Sequence, residues 1–362
     1  MSSRVITYWD YLRIDDLLGI QRGCEPEGRE VQADELHFII VHQVFELWFK
    51  LILTELRRGR DALLAPGAPS AVIPPVLASL LRINRTLAVA VQHWDVMETM
   101  SPQDFLLFRD KLFPASGFQS FQFPEIEIVL GLEETLKSRT GEVRALAQIE
   151  RAAGHSASGA KAWSIIGSAR AERTFRHALY TWLAERSSLV TGFGDAADRT
   201  AERFGDAYLA ATRVYFARQV EQMLSAPDAV RGEIEQKFQD NYQLAERFVR
   251  ATDVGPDERA WYRRVRASLL YLETYHDVAL LAPERQLIEA VLDLESLIVL
   301  WRTRHARMAE KMIGRRVGTG GGSVDYLDHS LTLRVFPDLW ESRTQVVPRH
   351  LAPGKPWGEG TC

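Results

Sequence analysis

Residues 34–56 read DELHFIIVHQVFELWFKLILTEL, and this stretch decides the fold. Leu36, Phe38, Ile39, Ile40, Val44, Leu47, Trp48, Leu51, Ile52 and Leu56 recur at three- and four-residue steps, the period of a helix with a wide apolar face. Asp34 predicts its N-cap. The pattern repeats outward. Residues 76–100 carry Leu77, Leu80, Leu81, Ile83, Leu87, Val91 and Trp94 at helical spacing, with Pro74 and Pro75 suited to a helix start. Ser101-Pro-Gln-Asp104 predicts the opening of a short helix through Leu112. Beyond the Gly154–Gly167 stretch, helical patterns cover Phe175–Glu185, Ala201–Leu224, Val230–Ala251, Pro256–Tyr275 and Pro283–Met312, the last ending at Gly314. No stretch alternates in β-branched residues, so the chain is expected to be all-α. Residues 113–117 form a breaker cluster, and the polar tail Pro348–Cys362 is expected to fray.

The 362 residues suit two ordinary domains or one large one. No linker rich in Gly, Pro or Ser divides them. One domain over 1–362 is expected, with 132–255, rich in Ala, Arg and Glu, as an inserted helical region. A 46% hydrophobic, 25% charged composition excludes wholesale disorder. A net charge of −4 offers no basic excess for nucleic acid or an anionic membrane. The apolar run Leu287–Trp301 is broken by Glu289, Asp293 and Glu295, so no membrane span is expected. The N-terminus lacks a signal-peptide pattern, and a cytoplasmic location is the expectation. Two cysteines, Cys24 and Cys362, exclude a disulfide framework or a four-thiolate metal site.

The chemistry must come from elsewhere. His42 stands one helical turn after Phe38, an arrangement suited to a planar aromatic ligand with one polar N–H, or equally to a core histidine bonded to a carbonyl. Arg109 stands one turn after Phe105 and could clamp a carboxylate, or pair with Asp104 or Asp110. His305, between Trp301 and Met308, could be an axial haem ligand with Arg302, Arg304, Arg307, Arg315 and Arg316 as propionate partners, or an exposed histidine near a basic helix end. Gly318-Thr-Gly-Gly-Gly-Ser323 lacks the Lys-Ser/Thr of a P-loop and follows a helix, so it reads as a closing loop or a plain connection. HExxH, CxxC and GxSxG do not occur. The remaining histidines have no ligand-like spacing.

Five separated segments together resemble the tryptophan 2,3-dioxygenase family. Tyr8-Trp-Asp-Tyr-Leu-Arg-Ile-Asp15 resembles its YxxYLxLD segment, and Phe38-Ile-Ile-Val-His-Gln43 with Glu46-Leu-Trp-Phe-Lys50 its FIIxHQ…ELWFK helix. Phe108-Arg-Asp110 with Pro114-Ala-Ser-Gly-Phe-Gln-Ser120 resembles FR…PxSGFQS. Trp301-Arg-Thr-Arg-His305, Gly314 and Gly318-Thr-Gly-Gly321 resemble the haem-ligand helix and substrate loop, and Phe336-Pro-Asp-Leu-Trp340 with Arg343-Thr344 resembles FPxLxxxRT. Residues 132–280 carry little of the likeness.

The resemblance implies a helical haem b enzyme that uses O2 to cleave the indole C2–C3 bond of L-tryptophan, giving N-formyl-L-kynurenine. It implies His305 as proximal iron ligand, with Trp301, Ser116 and Gly117 beside the haem. His42 would meet the indole N–H, Phe38 and Phe105 the indole, Arg109 the carboxylate and Thr319 the ammonium. Tyr8, Tyr11 and Leu12 would reach a neighbouring subunit's pocket in a homotetramer. Two departures stand out. Pro124 occupies a position where the family usually has Arg, and the Gly318–Leu327 loop is one residue shorter than its usual run. They motivate an alternative, a related haem oxygenase acting on a modified tryptophan or other aromatic amino acid. A haem-binding sensor or scaffold without catalysis is the alternative of another class.

Overall fold

The computed structural model describes residues 6–23, 25, 30–112, 120–132, 144–190, 197–222, 228–314, 316 and 324–353. Among them there is no β-strand, and the fold is all-α. In chain order the helices are α1 (Tyr8–Leu12), α2 (Ile14–Gly19), α3 (Ala33–Leu64), α4 (Ile73–Met97), α5 (Pro102–Leu112), α6 (Gln122–Leu130), α7 (Arg144–Ala153), α8 (Ala157–Ala171), α9 (Phe175–Glu185), α10 (Ala197–Gln222), α11 (Asp228–Val249), α12 (Arg259–Thr274), α13 (Ala282–Ile313), α14 (Val324–Ser330) and α15 (Pro337–Thr344).

The deciding stretch is the first half of α3. Its start differs from expectation. Gln32 is the N-cap and makes no side-chain cap bond, while Asp34 lies in the first turn, where a carboxylate faces the positive end of the helix dipole. α3 packs along α4, and α4 along α13, so these three long helices form the spine. Phe45, Phe49, Ile52 and Leu56 of α3, Val76, Leu80 and Leu87 of α4, and Leu287, Val291 and Leu294 of α13 are buried between them. By length and hydropathy alone α3 could cross a membrane, a property the sequence reading assigned to no segment. Its packing against α4, α6 and α9 makes it a core helix, although Ile40 and Leu47 remain exposed.

The Gly154–Gly167 stretch, which no predicted helix covers, is also largely helical. It holds most of α8, capped by Ser156 accepting from Gly159 N–H at 2.9 Å. A side chain at Gly159 would strike the backbone of Ala152, so glycine permits α7 and α8 to close on each other. The tail is less free than expected. Tyr275 donates to the Pro353 carbonyl at 3.3 Å and Arg349 pairs with Asp277, which ties down residues up to 353. The rest of the tail lies outside the described residues.

Two buried carboxylates pin the C-terminal helices. Glu295 of α13 accepts from the backbone N–H groups of Val335 and Phe336 and from Trp340 Nε1. Asp338 accepts from Arg266 Nε at 2.6 Å and from the Tyr180 hydroxyl at 2.9 Å. Breaking one partner of such a set leaves a buried charge unmet, so these contacts fix α15 against α9, α12 and α13.

The opening of α5 matches its prediction. Ser101 Oγ accepts from Asp104 N–H at 3.2 Å, and Asp104 Oδ2 accepts from Ser101 N–H at 3.2 Å, a reciprocal capping box. Ser101→Ala is expected to lower stability by about 1 kcal/mol. Urea unfolding checks this, and an unchanged midpoint would mean the cap is not limiting.

Candidate functional site

Four helices bring the chemistry-bearing residues together. α3 supplies Phe38 and His42, and further along Phe45 and Phe49. α5 supplies Phe105, Phe108 and Arg109. α4 supplies His93 and Trp94, and α13 supplies Trp301 and His305.

The first half of the site is an aromatic wall. The rings of Phe38 and His42 have centroids 4.0 Å apart. Phe38 meets Phe105 at 6.0 Å and Phe108 at 5.5 Å, and those two meet edge to face at 5.4 Å. Phe108 was not among the expected pocket residues, though its three-residue step from Phe105 carries the signal. Arg109 follows on the last turns of α5, half-buried. Asp104, one of its expected alternative partners, is engaged in capping α5.

His42 settles its own tautomer. Its Nδ1 lies 2.8 Å from the Phe38 carbonyl oxygen, which can only accept, so Nδ1 carries the proton and donates. Nε2 is left with a lone pair, able to accept from a ligand N–H. The bond to a carbonyl is therefore compatible with binding a ligand through Nε2. Burial holds its pKa below the ordinary 6.5; the bond to Phe38 partly offsets this, and charge on His93 adds to the lowering. His93 lies edge-on to Phe45 at 4.9 Å, with Nε2 3.3 Å from the Val41 carbonyl oxygen. Sequence spacing does not single it out, because its partners come from another helix.

The second half surrounds His305. Trp94 stacks on it nearly parallel, 5.1 Å between centroids and 10° between planes, and Trp301 lies at 5.4 Å. Phe45 packs on Trp94 at 4.4 Å, and Phe123 of α6 stacks on Trp301 at 4.4 Å. His305 is thus half-buried among rings and eight residues short of the helix end, unlike an exposed histidine facing a dipole. Burial, followed by charge on His42, lowers its pKa to about 4. The two imidazoles therefore sense each other, and both are neutral at pH 7.

These features fit an imidazole that would hold a haem iron. Among the described residues no hydrogen bond reaches the His305 ring, and Trp94 Nε1 and Trp301 Nε1 are buried without a partner. No group of three or more His, Cys, Asp or Glu among them could hold a bare metal ion. The arginines expected around a cofactor are placed differently. Arg302 pairs with Glu127, Arg304 with Asp95 and Glu98, and Arg307 with Glu310 and Asp328. Arg316 is exposed, and Arg315 lies outside the described residues.

Ser116, Gly117 and Thr319 also lie outside them. Just downstream of the first two, Ser120 Oγ and Gln122 Nε2 each donate to Glu46 of α3 at 2.6 Å, fixing the entry to α6. Pro124 is the third residue of α6. The first intrahelical bond is Glu125 N–H to the Phe121 carbonyl, so proline forfeits no helix bond there. Tyr8, Tyr11 and Leu12 are not brought to the cleft. They lie on α1 and are 67%, 78% and 43% exposed. A groove of about 750 Å3 lies elsewhere, lined by Leu77, Leu81, Leu272, His276, Arg285 and Val346, and includes none of the aromatic and histidine residues described above.

The chain is similar to known proteins over most of its length. The model of the tryptophan 2,3-dioxygenase family matches residues 1–346. The chain is 38% identical to tryptophan 2,3-dioxygenase 2 of Ralstonia nicotianae, covering 96% of this chain and 95% of that one. It is 34% identical to a tryptophan 2,3-dioxygenase of Sorangium cellulosum, over 96% and 85% respectively. A tryptophan 2,3-dioxygenase-like protein of Xanthomonas campestris is 38% identical over 94% of its own length but 70% of this chain.

Proposed function

The chain belongs to the tryptophan 2,3-dioxygenase family, and from that premise we propose that it uses haem b and O2 to convert L-tryptophan into N-formyl-L-kynurenine. The observation that carries this reading is the pair of imidazoles set among aromatic rings, His42 with Nδ1 on the Phe38 carbonyl and Nε2 left to accept, and His305 stacked on Trp94 without a hydrogen bond from the described residues.

His305 would hold the iron, braced by Trp94 and Trp301. Haem, when bound, supplies the activation of O2 that no side chain provides. The protein's own part is orientation. Phe38, Phe105 and Phe108 wall the indole, and His42 Nε2 accepts its N–H. Arg109 meets the carboxylate with paired hydrogen bonds. Thr319 is proposed for the ammonium, and the backbone of Ser116 and Gly117 for the haem edge. With both ends of a zwitterion met, the amino acid can leave water. Orienting one face of the indole is how such a site accelerates reaction without supplying the chemistry.

The exposed Tyr8, Tyr11 and Leu12, with Ile40 and Leu47, suit burial in a homotetramer where α1 closes a neighbour's cleft. One domain over 1–362 is retained, with 132–255 as an inserted region sharing its core through Tyr180 and Asp338. A cytoplasmic location accompanies this reading, consistent with only two cysteines.

The test is direct. Haem-loaded, reduced protein mixed anaerobically with L-tryptophan and then with O2 should yield N-formyl-L-kynurenine containing two atoms from labelled O2. No product, or one labelled atom, would overturn the reading.

A pH prediction follows from His42. Its pKa is held below 6.5, so Nε2 keeps its lone pair at neutral pH. Acidification through the lowered pKa protonates it and sets two N–H groups against each other. The KM for tryptophan is therefore expected to be flat near pH 7 and to rise at acid pH, inflecting below 6.5. A rise that begins above 6.5 would remove His42 as the acceptor.

A further inference from the structure

α5 carries both Phe105 and Arg109, so the rotation of this helix about its axis decides where the guanidinium points. Phe105, Phe108 and Lys111, spaced by three, all meet α3 or its surroundings. The two phenylalanines contact Phe38. Lys111 Nζ lies 2.8 Å from Glu35 Oε2 in the first turn of α3, and 2.6 Å from Glu25 Oε1.

These contacts do different work. Ring packing draws α5 onto α3 but is non-directional, and it tolerates a rotation that keeps the apolar stripe covered. An ion pair with hydrogen bonds fixes a direction as well as a distance. Glu35 is 3% exposed, so its carboxylate depends on a cation brought to it. Lys111, 39% exposed at its side chain, delivers that cation at the end of a helix whose start is already held by the Ser101–Asp104 box. Arg109 stands about 200° around the helix from Lys111, from 3.6 residues per turn. Holding one side of the last turn thus sets the bearing of the other.

We propose that Lys111, bridged to the buried Glu35, is a positioning residue that fixes the rotation of α5 and so aims Arg109 at the substrate carboxylate. This rests on the reading of Arg109 as the carboxylate clamp. Lys111 touches neither substrate nor haem, and acts only through the helix.

The test uses haem-loaded, reduced holoenzyme with L-tryptophan and with tryptamine, which lacks the carboxylate. Lys111→Met is expected to raise the KM for tryptophan about tenfold, as slight misplacement of a positioning group does, with kcat and haem content unchanged. The KM for tryptamine should not move. Lys111→Arg should restore most of the loss, and adding Glu35→Gln to Lys111→Met should cost nothing further. A tryptophan KM within about twofold of wild type in Lys111→Met, a ratio too small to register as lost binding, overturns the proposal if Arg109→Ala does raise it. Equal changes for tryptophan and tryptamine, or falling haem content, also overturn it, because the effect would then be general loosening. If Arg109→Ala leaves the tryptophan KM unchanged, the clamp reading fails, and the proposal fails with it for that separate reason.

Discussion

His305→Ala should yield a folded protein that purifies almost colourless. The expected loss is large because removing an outer-shell partner of a metal ligand already costs 10- to 100-fold in affinity, so losing the ligand itself should cost at least about 100-fold. The fold should survive. His305 is half-buried, and what it gives the apo-protein is mainly its stack on Trp94 and its contact with Trp301, each worth roughly 0.5–1.5 kcal/mol. Absorbance at the Soret band per protein, read beside the thermal midpoint, separates ligand loss from unfolding. His305→Gly with free imidazole adds a check, since imidazole entering the vacated space should restore the band. A variant that binds haem as the wild type does would mean the iron ligand has been assigned to the wrong histidine. His42 is then the one to test, because it is close enough to influence His305 electrostatically.

The fold was legible because its main determinants are local. The helical period of residues 34–56, Pro74 and Pro75 in the first turn of α4, and the Ser101–Asp104 box all act within a few residues. Phe175–Glu185 is a helix over the same residues that the pattern predicts. The misses are non-local. The Gly154–Gly167 stretch shows no helical pattern, and only the packing of Gly159 against Ala152 explains why α8 begins there. The Pro348–Pro353 segment reads as a fraying tail until Tyr275 and Asp277 are seen to hold it.

The site divides in the same way. Phe38 with His42, and Phe105 with Arg109, are pairs one turn apart, and sequence spacing alone places each on one helix face. The contacts between pairs come from the packing of α3, α4, α5 and α13. Nothing in the spacing of His93 or Trp94 announces that one perturbs His42 while the other stacks on His305. The arginines around His305 mislead for a related reason. Their charge is visible in the sequence, but the carboxylates of Glu127, Asp95, Glu98 and Asp328 that occupy them come from distant positions. Resemblance to a family supplied the roles that spacing could not distinguish from bland alternatives.

Arg109→Ala is the sharper test of substrate recognition, because it should separate two functions that His305→Ala removes together. Haem content should be unchanged, since Arg109 lies on α5, whose Phe105 and Phe108 pack on Phe38, whereas the rings against His305 come from α4 and α13. Tryptophan affinity should fall steeply. Truncating one partner of a buried, hydrogen-bonded charge pair costs about 2–5 kcal/mol, or roughly 30- to 5,000-fold. Much of that cost is the penalty on the carboxylate left without a partner in an apolar cleft. Arg109→Lys should recover only part of it, because a point charge cannot reproduce two parallel N–H donors. Tryptamine gives the decisive comparison. It offers no carboxylate, so the wild type should bind it poorly, and Arg109→Ala should bind it no worse than the wild type does. The preference for tryptophan over tryptamine should then collapse in the variant. If both ligands weaken equally, the arginine supports the pocket without touching the carboxylate. If haem is lost as well, α5 is structural to the cofactor site, and the division of the cleft into a substrate half and a haem half is wrong.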